Sequence, residues 1–509
     1  MNEPIPAWML RELGRADGGA RTLGTLIDGQ HARRLLLLRL LLDAVRTAPA
    51  AVLPPAAAAL AHEHWTLLED VDRAAPEAAR AALYYPLAGP WAERCVRGLT
   101  GPPPPSSSPE PQPPPPAGAG RPGQPAVAAD LAQLGGPALA AAVRGGGTFR
   151  TRLAVRAGQV TLPALGALRV RPAATSAAPP RDAPPAAGRR GTPAPHAARP
   201  GPYAAAGNTV WVQGADGVLT VSGAGITPAV LRPDGHGGWR SDDPRWRPVH
   251  ALADGPVRIL LDDADPYRAV DDEARQHGLF AFGTLTSGQR ERWRATWRAA
   301  LPLLTLTGQR PLVDAGLLSC VIPMTRPPGA ARRAEGAAHS SGTRREAFGA
   351  VLASAPSGPA TLAATLVHEL HHAKLSAVSD LTPLHTAGSP RRYWAPWRPD
   401  ARPFDGLLQG AYAHLALADY WQRVALAPVD AELRDLAWAE HARCREQVGA
   451  ILPTLSGSRQ LTSAGRVLLA ELVALHTRMK GTPPPARYLA RAAAYVETAR
   501  LTWRRQHTR

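Results

Sequence analysis

The sequence predicts an α+β protein, mostly helical, with an N-terminal helical region, a small central β region and a C-terminal helical domain. Three observations predict it. Apolar residues recur at helical spacing through residues 1–100 and again from Pro359 onward. Between these regions, short runs alternate apolar and polar residues and are punctuated by Gly and Asp turn signals. Two Pro-rich stretches interrupt the chain, so the folded part is smaller than the 509 residues suggest.

Residues 1–100 read as helices, with periodic stretches at Ala20 to Val45, Leu53 to Leu68 and Pro76 to Leu99. The first ends in Leu35-Leu-Leu-Leu-Arg-Leu-Leu-Leu, and Trp65, Tyr84, Tyr85 and Trp91 read as core. Residues 101–125 contain Pro102-Pro-Pro-Pro and Pro113-Pro-Pro-Pro and read as a solvated polyproline-like linker. Residues 126–174 predict a short helix to Val143 and strands beginning near Phe149, Gln159 and Leu168. Residues 175–206 form a second Pro/Ala/Arg-rich linker, too poor in large apolar residues to fold alone.

Residues 207–330 predict a β-rich region followed by a helix. Val210-Trp-Val and Val218-Leu-Thr-Val flank Gly214-Ala-Asp-Gly217, a hairpin signal. Val257 to Asp262 is another strand, and the acids Asp262, Asp263 and Asp265 lack the Gly and Glu spacing of a calcium loop, so they read as a strand end or turn. Ser287 to Leu301 predicts a helix capped by Ser287, with Pro302 just past its end. Trp293 and Trp297, four residues apart, read as its core face. A strand at Val321-Ile-Pro-Met and a mobile loop from Gly329 to Gly342 lead into the last domain, residues 331–509.

The balance of 58 Lys+Arg against 41 Asp+Glu gives a net charge of +17, which favours an acidic partner. No helix-turn-helix, zinc-finger or RNA-binding aromatic pattern accompanies it, which argues against nucleic acid. The three cysteines, Cys95, Cys320 and Cys444, are far apart and form neither a CxxC pair nor a disulfide framework, as expected in a reducing compartment. The N-terminal Met1-Asn-Glu-Pro shows no charged segment followed by an apolar one, and no run of 18 apolar residues occurs. A soluble cytoplasmic protein without a membrane partner is expected.

The most informative stretch is Thr365-Leu-Val-His368-Glu369-Leu-His371-His372-Ala-Lys374-Leu, which contains His-Glu-x-x-His. Pro359 is placed to start a helix, Leu362, Leu366 and Leu370 repeat every four residues, and no Gly or Pro follows until Pro383. On that helix His368 and His372 share one face, so two ring nitrogens can reach one metal ion at about 2.0–2.1 Å. Glu369 can serve as a base toward a metal-bound water or as a partner that orients the ligands. His371 falls on another face and reads as incidental.

Further motifs follow in order: Asp380-Leu-Thr-Pro-Leu, then Arg391-Arg392-Tyr-Trp-Ala-Pro-Trp397-Arg398, then Leu407-Leu-Gln-Gly-Ala-Tyr-Ala-His414. This succession resembles the HExxH-motif peptide-modification proteins of actinobacterial ribosomal-peptide gene clusters, described as alpha-ketoglutarate-dependent peptide beta-hydroxylases. The likeness is concentrated between Arg344 and Gly465 and weaker over the N-terminus. The Ala/Pro/Gly/Arg-rich composition suits a high-GC genome of that kind. The resemblance implies Fe(II) rather than Zn, with alpha-ketoglutarate and molecular oxygen as cosubstrates. It further implies a precursor peptide as substrate and a radical-SAM maturase acting on the same peptide.

Three protein groups usually hold the metal of such an oxygenase. His414 is the first candidate for the third ligand, followed by Asp419, Asp380 and His385. The distal carboxylate of alpha-ketoglutarate needs a guanidinium fork, for which Arg398, Arg392 and Arg345 are candidates. Two other functions stay open: a Zn metallopeptidase with Glu369 as general base, and a non-catalytic peptide-binding relative. Neither a gluzincin third-ligand Glu nor a metzincin His-x-x-Gly-x-x-His extension follows His372.

Overall fold

The computed structural model describes residues 5–101, 124–170, 209–223, 226–254, 257–268, 282–324, 340–386 and 391–507. The linker expected at 101–125 lies, apart from its ends, outside these residues, and the one at 175–206 lies wholly outside them. The architecture is α+β and mostly helical, as the periodicity predicts.

In chain order the principal helices are α1 (Ala7–Gly14), α2 (Ala20–Thr47), α3 (Pro55–Ala74), α4 (Pro76–Leu83), α5 (Ala88–Thr100), α6 (Gln124–Leu131), α7 (Gly135–Arg144), α8 (Ser287–Leu306), α9 (Pro311–Asp314), α10 (Pro359–Leu381), α11 (Phe404–Leu426), α12 (Ala431–Gly449), α13 (Leu452–Ser456), α14 (Ser463–Arg478) and α15 (Ala486–His507). The strands are β1 (Phe149–Ala154), β2 (Gln159–Leu162), β3 (Gly166–Arg169), β4 (Thr209–Ala215), β5 (Val218–Gly223), β6 (Ile226–Pro233), β7 (Trp239–Arg240), β8 (Trp246–Pro248), β9 (His250–Asp254), β10 (Val257–Leu261), β11 (Cys320–Met324), β12 (Ser341–Thr343) and β13 (Ala350–Ser354). No helix among the described residues is long and apolar enough to cross a membrane.

The chain divides into two compact units. One comprises 37–249 with 264–266; the other comprises 1–36, 250–263 and 267–509. The division therefore differs from the expected helical region at 1–100: residues up to Leu36 join the unit that carries the His-Glu-x-x-His helix. The reason is visible in side chains. Gln30 and Arg33 of α2 donate to Asp380 at the end of α10, and Lys374 of α10 donates to the carbonyl of Asp17 at 2.6 Å.

The first of these units combines α3 to α7 with two antiparallel sheets, β1-β4-β5-β6-β7 and β2-β3-β8. Strand β1 alternates inward Phe149, Thr151 and Leu153 with outward Arg150 and Arg152, the period-2 pattern of a half-buried sheet. The hairpin expected at 214–217 forms, with Asp216 and Gly217 both at positive φ between paired Ala215 and Val218.

The second unit holds a mixed sheet of order β12-β13-β11-β10-β9, with β10, β11 and β13 parallel and the two outer strands antiparallel. Helix α10 follows β13 after a four-residue loop and packs against α8 and α11. It is buried on most sides, Leu362, Val367, Leu370 and Val378 among its core residues. Helix α8 runs farther than its sequence suggests. Thr286, not Ser287, caps it in a reciprocal box with Gln289, and Pro302 lies inside it. Proline removes one helical hydrogen bond there, but Leu301 and Leu304 are both buried in the core, and that burial carries the helix across the gap. Ser341 and Gly342, expected at the end of a mobile loop, form with Thr343 the edge strand β12; the part of that loop before Ser340 lies outside the described residues.

Helix α12 contributes a pH-sensitive element to this unit. His441 is fully buried, its Nδ1 donates to the carbonyl of Ala418 at 2.8 Å, and its Nε2 has no partner among the described residues. Burial, with Arg445 and His476 nearby, lowers its pKa to about 4. The unfolded chain binds this proton near the ordinary value of about 6.5 while the folded chain does not. Stability is thus full above about pH 6.5 and falls as the pH drops toward about 4, by roughly 2–3 kcal/mol from this group. The expected result is a thermal midpoint that declines over that range in the native chain and declines measurably less in His441→Phe. Equal acid slopes in the two proteins would contradict it.

Candidate metal centre

Helix α10 presents His368 and His372 on the face that lines a cleft of about 630 Å³. The two Nε2 atoms are 3.2 Å apart. Two nitrogens about 2.0–2.1 Å from one ion would lie about 3.0 Å apart at a right angle and about 3.4 Å apart at the tetrahedral angle. The observed spacing lies between these values. His372 Nδ1 is 3.3 Å from Gln409 Oε1, and the Gln409 amide is fixed by donating to Ser376 Oγ. Gln409 thereby holds the His372 tautomer whose Nε2 carries the lone pair. His368 Nδ1 is buried and has no partner among the described residues. Burial first, then the neighbouring imidazoles, pushes His368 well below its ordinary pKa; burial likewise lowers His372. Both rings are neutral, the form that binds metal.

His414 comes from α11 and lines the same cleft. Its Nδ1 donates to the carbonyl of Gly410 at 2.9 Å, which leaves Nε2 as the free acceptor. Its ring centre is 5.0 Å from that of His368, against 4.7 Å between His368 and His372. Rings bound to one ion through Nε2 have centres about 4.5–5.2 Å apart at angles between square and tetrahedral. The ring separations match that range. The donor atoms of three His, Cys, Asp or Glu side chains are not gathered into one metal-holding group among the described residues. Trp397 lies flat on the His414 ring, with centres 4.5 Å apart and planes 20° from parallel. Gly410 makes this stack possible, because a Cβ there would come within 2.3 Å of the indole. Burial lowers the pKa of His414 to about 3.

The other ligand candidates are engaged elsewhere. Asp380 accepts from Gln30, Arg33 and Arg345. Asp419 pairs with Arg423 at 2.8 Å, and His385 Nε2 lies 3.2 Å from Asp405. His371 faces away from the pair, as expected; its Nδ1 donates to the carbonyl of Val367 and its Nε2 is 3.3 Å from Lys374 Nζ. All three cysteines are free and buried.

Glu369 is buried and lines the cleft. Its Oε1 accepts from Ser341 Oγ at 2.7 Å, and the Thr343 hydroxyl also favours the charged form of the carboxyl. Burial raises its pKa to about 7, against the pull of the two hydroxyls. Strand β12 is therefore tied to α10 through this carboxyl. Ser341 and Thr343 carry no motif, and Ser341 stands in a segment that reads as loop, so sequence offers no signal for their role.

The guanidinium candidates separate. Arg345 and Arg398 line the cleft, and Arg392 is exposed and does not. Arg344 and Arg402 line it as well, though no motif marks either. Arg344 pairs with Glu346 at 2.7 Å and donates to the carbonyl of Tyr267. Arg345 is clamped on Asp380.

No protein-family model matches the chain, and no curated protein does either.

Proposed function

We propose that the chain is an Fe(II)- and alpha-ketoglutarate-dependent hydroxylase that acts on side-chain beta carbons of a ribosomally made precursor peptide. The observation that carries the metal part is the pair of neutral imidazoles, Nε2 atoms 3.2 Å apart, at the wall of a cleft of about 630 Å³. The iron and the peptide substrate rest on the resemblance of residues 344–465 to the HExxH-type hydroxylases. His368 and His372 would hold the ion, with His414 as third ligand. Bound there, Fe(II) with alpha-ketoglutarate and oxygen supplies the chemistry that turns a C–H bond into C–OH and releases succinate and carbon dioxide.

The chain's own groups do the positioning. Gln409 fixes the His372 ring, Trp397 fixes the His414 ring, and Glu369 fixes strand β12 along the cleft. The arginines at the cleft supply partners for carboxylates. A cytoplasmic setting beside a radical-SAM maturase belongs to the same reading. The second reading is a zinc metallopeptidase, favoured by one observation: Glu369 sits beside the pair with a pKa near neutrality, suited to a general base.

The test is anaerobic loading with Fe(II), then addition of oxygen, alpha-ketoglutarate and the precursor peptide encoded beside the gene. The expected product is one oxygen atom heavier per event, with stoichiometric succinate. Peptide cleavage without oxygen uptake would overturn the hydroxylase.

A further inference from the structure

The sheet β1-β4-β5-β6-β7 has one face in the core of its unit and one face open to water. Leu153, Val212, Leu219 and Leu231 point inward. The open face is unusual in its charge. The five strands contain four arginines, Arg150, Arg152, Arg232 and Arg240, and no Asp or Glu. All of these arginines stand at exposed positions. Trp211 points the same way and is 41% exposed, whereas Phe149 and Trp239, the other aromatic residues of these strands, are buried.

The neighbours of Trp211 account for its position. The Arg150 guanidinium lies 4.5 Å from the ring centre and that of Arg152 5.8 Å. Arg152 stands directly opposite Trp211 in the ladder, and Arg150, opposite Gln213, reaches it on the diagonal. A guanidinium stacked on a ring keeps its N–H groups in its own plane, so the stack fixes the fork and leaves it free to bind a carboxylate. Arg152 donates to Glu63 of α3 at 2.9 Å. Arg150, Arg232 and Arg240 have no carboxylate partner among the described residues.

The acids at the border do not cancel this charge. Asp234 accepts from the backbone N–H groups of His236 and Gly238 in its own turn, and Asp243 is held by Arg245. Asp216 in the β4–β5 turn and Asp242 past the end of β7 lie beyond the strands. The unpaired guanidiniums are also well spread. Arg150 is aligned through Gln213 and Thr220 with Val230, and Arg232 lies two residues farther along β6, opposite Arg240. Arg150 and Arg232 are thus about 14 Å apart across the sheet and about 7 Å apart along it, a span that an extended chain covers in about five residues.

We propose that this open face docks an acidic peptide in extended conformation, with Arg150 on its Trp211 platform at one end and the Arg232–Arg240 pair at the other. Charge complementarity selects the partner, and stacking holds the Arg150 fork ready for a carboxylate. A nucleic-acid strand fits less well, because its bases need open aromatic faces and the one outward ring of these strands already carries Arg150. The surface depends neither on the metal centre nor on the hydroxylase reading.

Fluorescence polarisation with the full-length, metal-free chain tests the proposal, at about 0.15 M salt so that long-range attraction is screened. The probe is a dye-labelled decapeptide of alternating Glu and Ser, with alternating Gln and Ser as the neutral control. The native chain is expected to bind the first and not the second. Arg150→Gln/Arg232→Gln/Arg240→Gln is expected to bind about tenfold more weakly or worse, the sum of three lost ion pairs. Trp211→Thr keeps every charge and a good strand former, and should weaken binding by about two- to fivefold, the worth of an exposed cation–π contact. Arg298→Gln/Arg491→Gln/Arg505→Gln removes the same charge from exposed helical positions elsewhere and should leave binding unchanged. Equal losses in the two triple variants would reduce the effect to net charge and overturn the face. Absence of binding by the native chain overturns it as well, and so does an oligothymidine that displaces the probe at lower concentration than the unlabelled acidic peptide does.

Discussion

His368→Ala and His372→Ala are each expected to abolish stoichiometric Fe(II) binding, with the native chain taking up one ion under anaerobic reconstitution. The two Nε2 atoms stand 3.2 Å apart in the wall of the cleft, and neither ring can leave without halving the pair. Changes to groups that only orient a ligand typically cost about 10–100-fold in metal affinity, so loss of a ligand itself should exceed about 100-fold, and Gln409→Ala should fall within the smaller range. Stability should move differently from affinity. In the metal-free chain the pair contributes little, because two neutral imidazoles face each other and His368 Nδ1 has no partner among the described residues. The melting midpoint of metal-free His368→Ala should therefore lie near that of the native chain. A ligand that binds only the folded state raises stability in proportion to the logarithm of its concentration over Kd, so the metal-induced rise should be present in the native chain and absent from both variants. Full iron occupancy in a His368→Ala/His372→Ala double variant would sink the assignment.

The pair was legible in the sequence because its geometry is local. An i,i+4 spacing on a helix with Leu362, Leu366 and Leu370 places both rings before any tertiary contact is known. His414, 5.0 Å ring to ring from His368, came into view only through the motifs that surround it, since nothing local tells a helix-packing histidine from a cleft histidine. What stayed hidden depends on distant pairing. Ser341 reaches Glu369 because Ser341–Thr343 joins the sheet edge beside β13, and a three-residue Ser-Gly-Thr strand has no readable alternation. Arg402 meets Arg398 through Asp400 only once Tyr393 closes the loop. The membership of Gln30 and Arg33 in the cleft-bearing unit turns on Asp380, about 350 positions along the chain, which no periodicity connects to them.

The back of α10 shows how the fold stiffens the site. Lys374 is fully buried, and its Nζ donates to the Asp17 carbonyl while lying over the Tyr412 ring. Burial lowers its pKa to about 7, opposed by Asp17 and Glu12. The N-terminal turn is thus stapled to the helix that carries the histidines, on the side away from the cleft. A helix held on both faces loses little further freedom when its side chains take up an ion, which is how a rigid element keeps ligands in register.

Glu369→Gln is the substitution expected to separate the two chemistries most sharply. Glutamine keeps an acceptor oxygen for Ser341 Oγ and a similar volume, so the tie between α10 and β12 should survive and the fold with it. It removes the ability to take a proton. A peptidase that uses Glu369 as general base should therefore lose about 10²–10⁴-fold in rate. In a hydroxylase the same residue only positions β12 and the cleft wall, and no proton passes through it. Succinate release and the one-oxygen mass gain should then persist within about tenfold of the native rate, since the loss is confined to weaker hydrogen bonds. Ser341→Ala provides the converse check, because it keeps the base and loosens the tie: a positioning role predicts that it impairs hydroxylation at least as much as Glu369→Gln does. Measuring succinate, product mass and peptide fragments on the same samples distinguishes the cases. Cleavage that requires Zn and disappears in Glu369→Gln would decide for the peptidase.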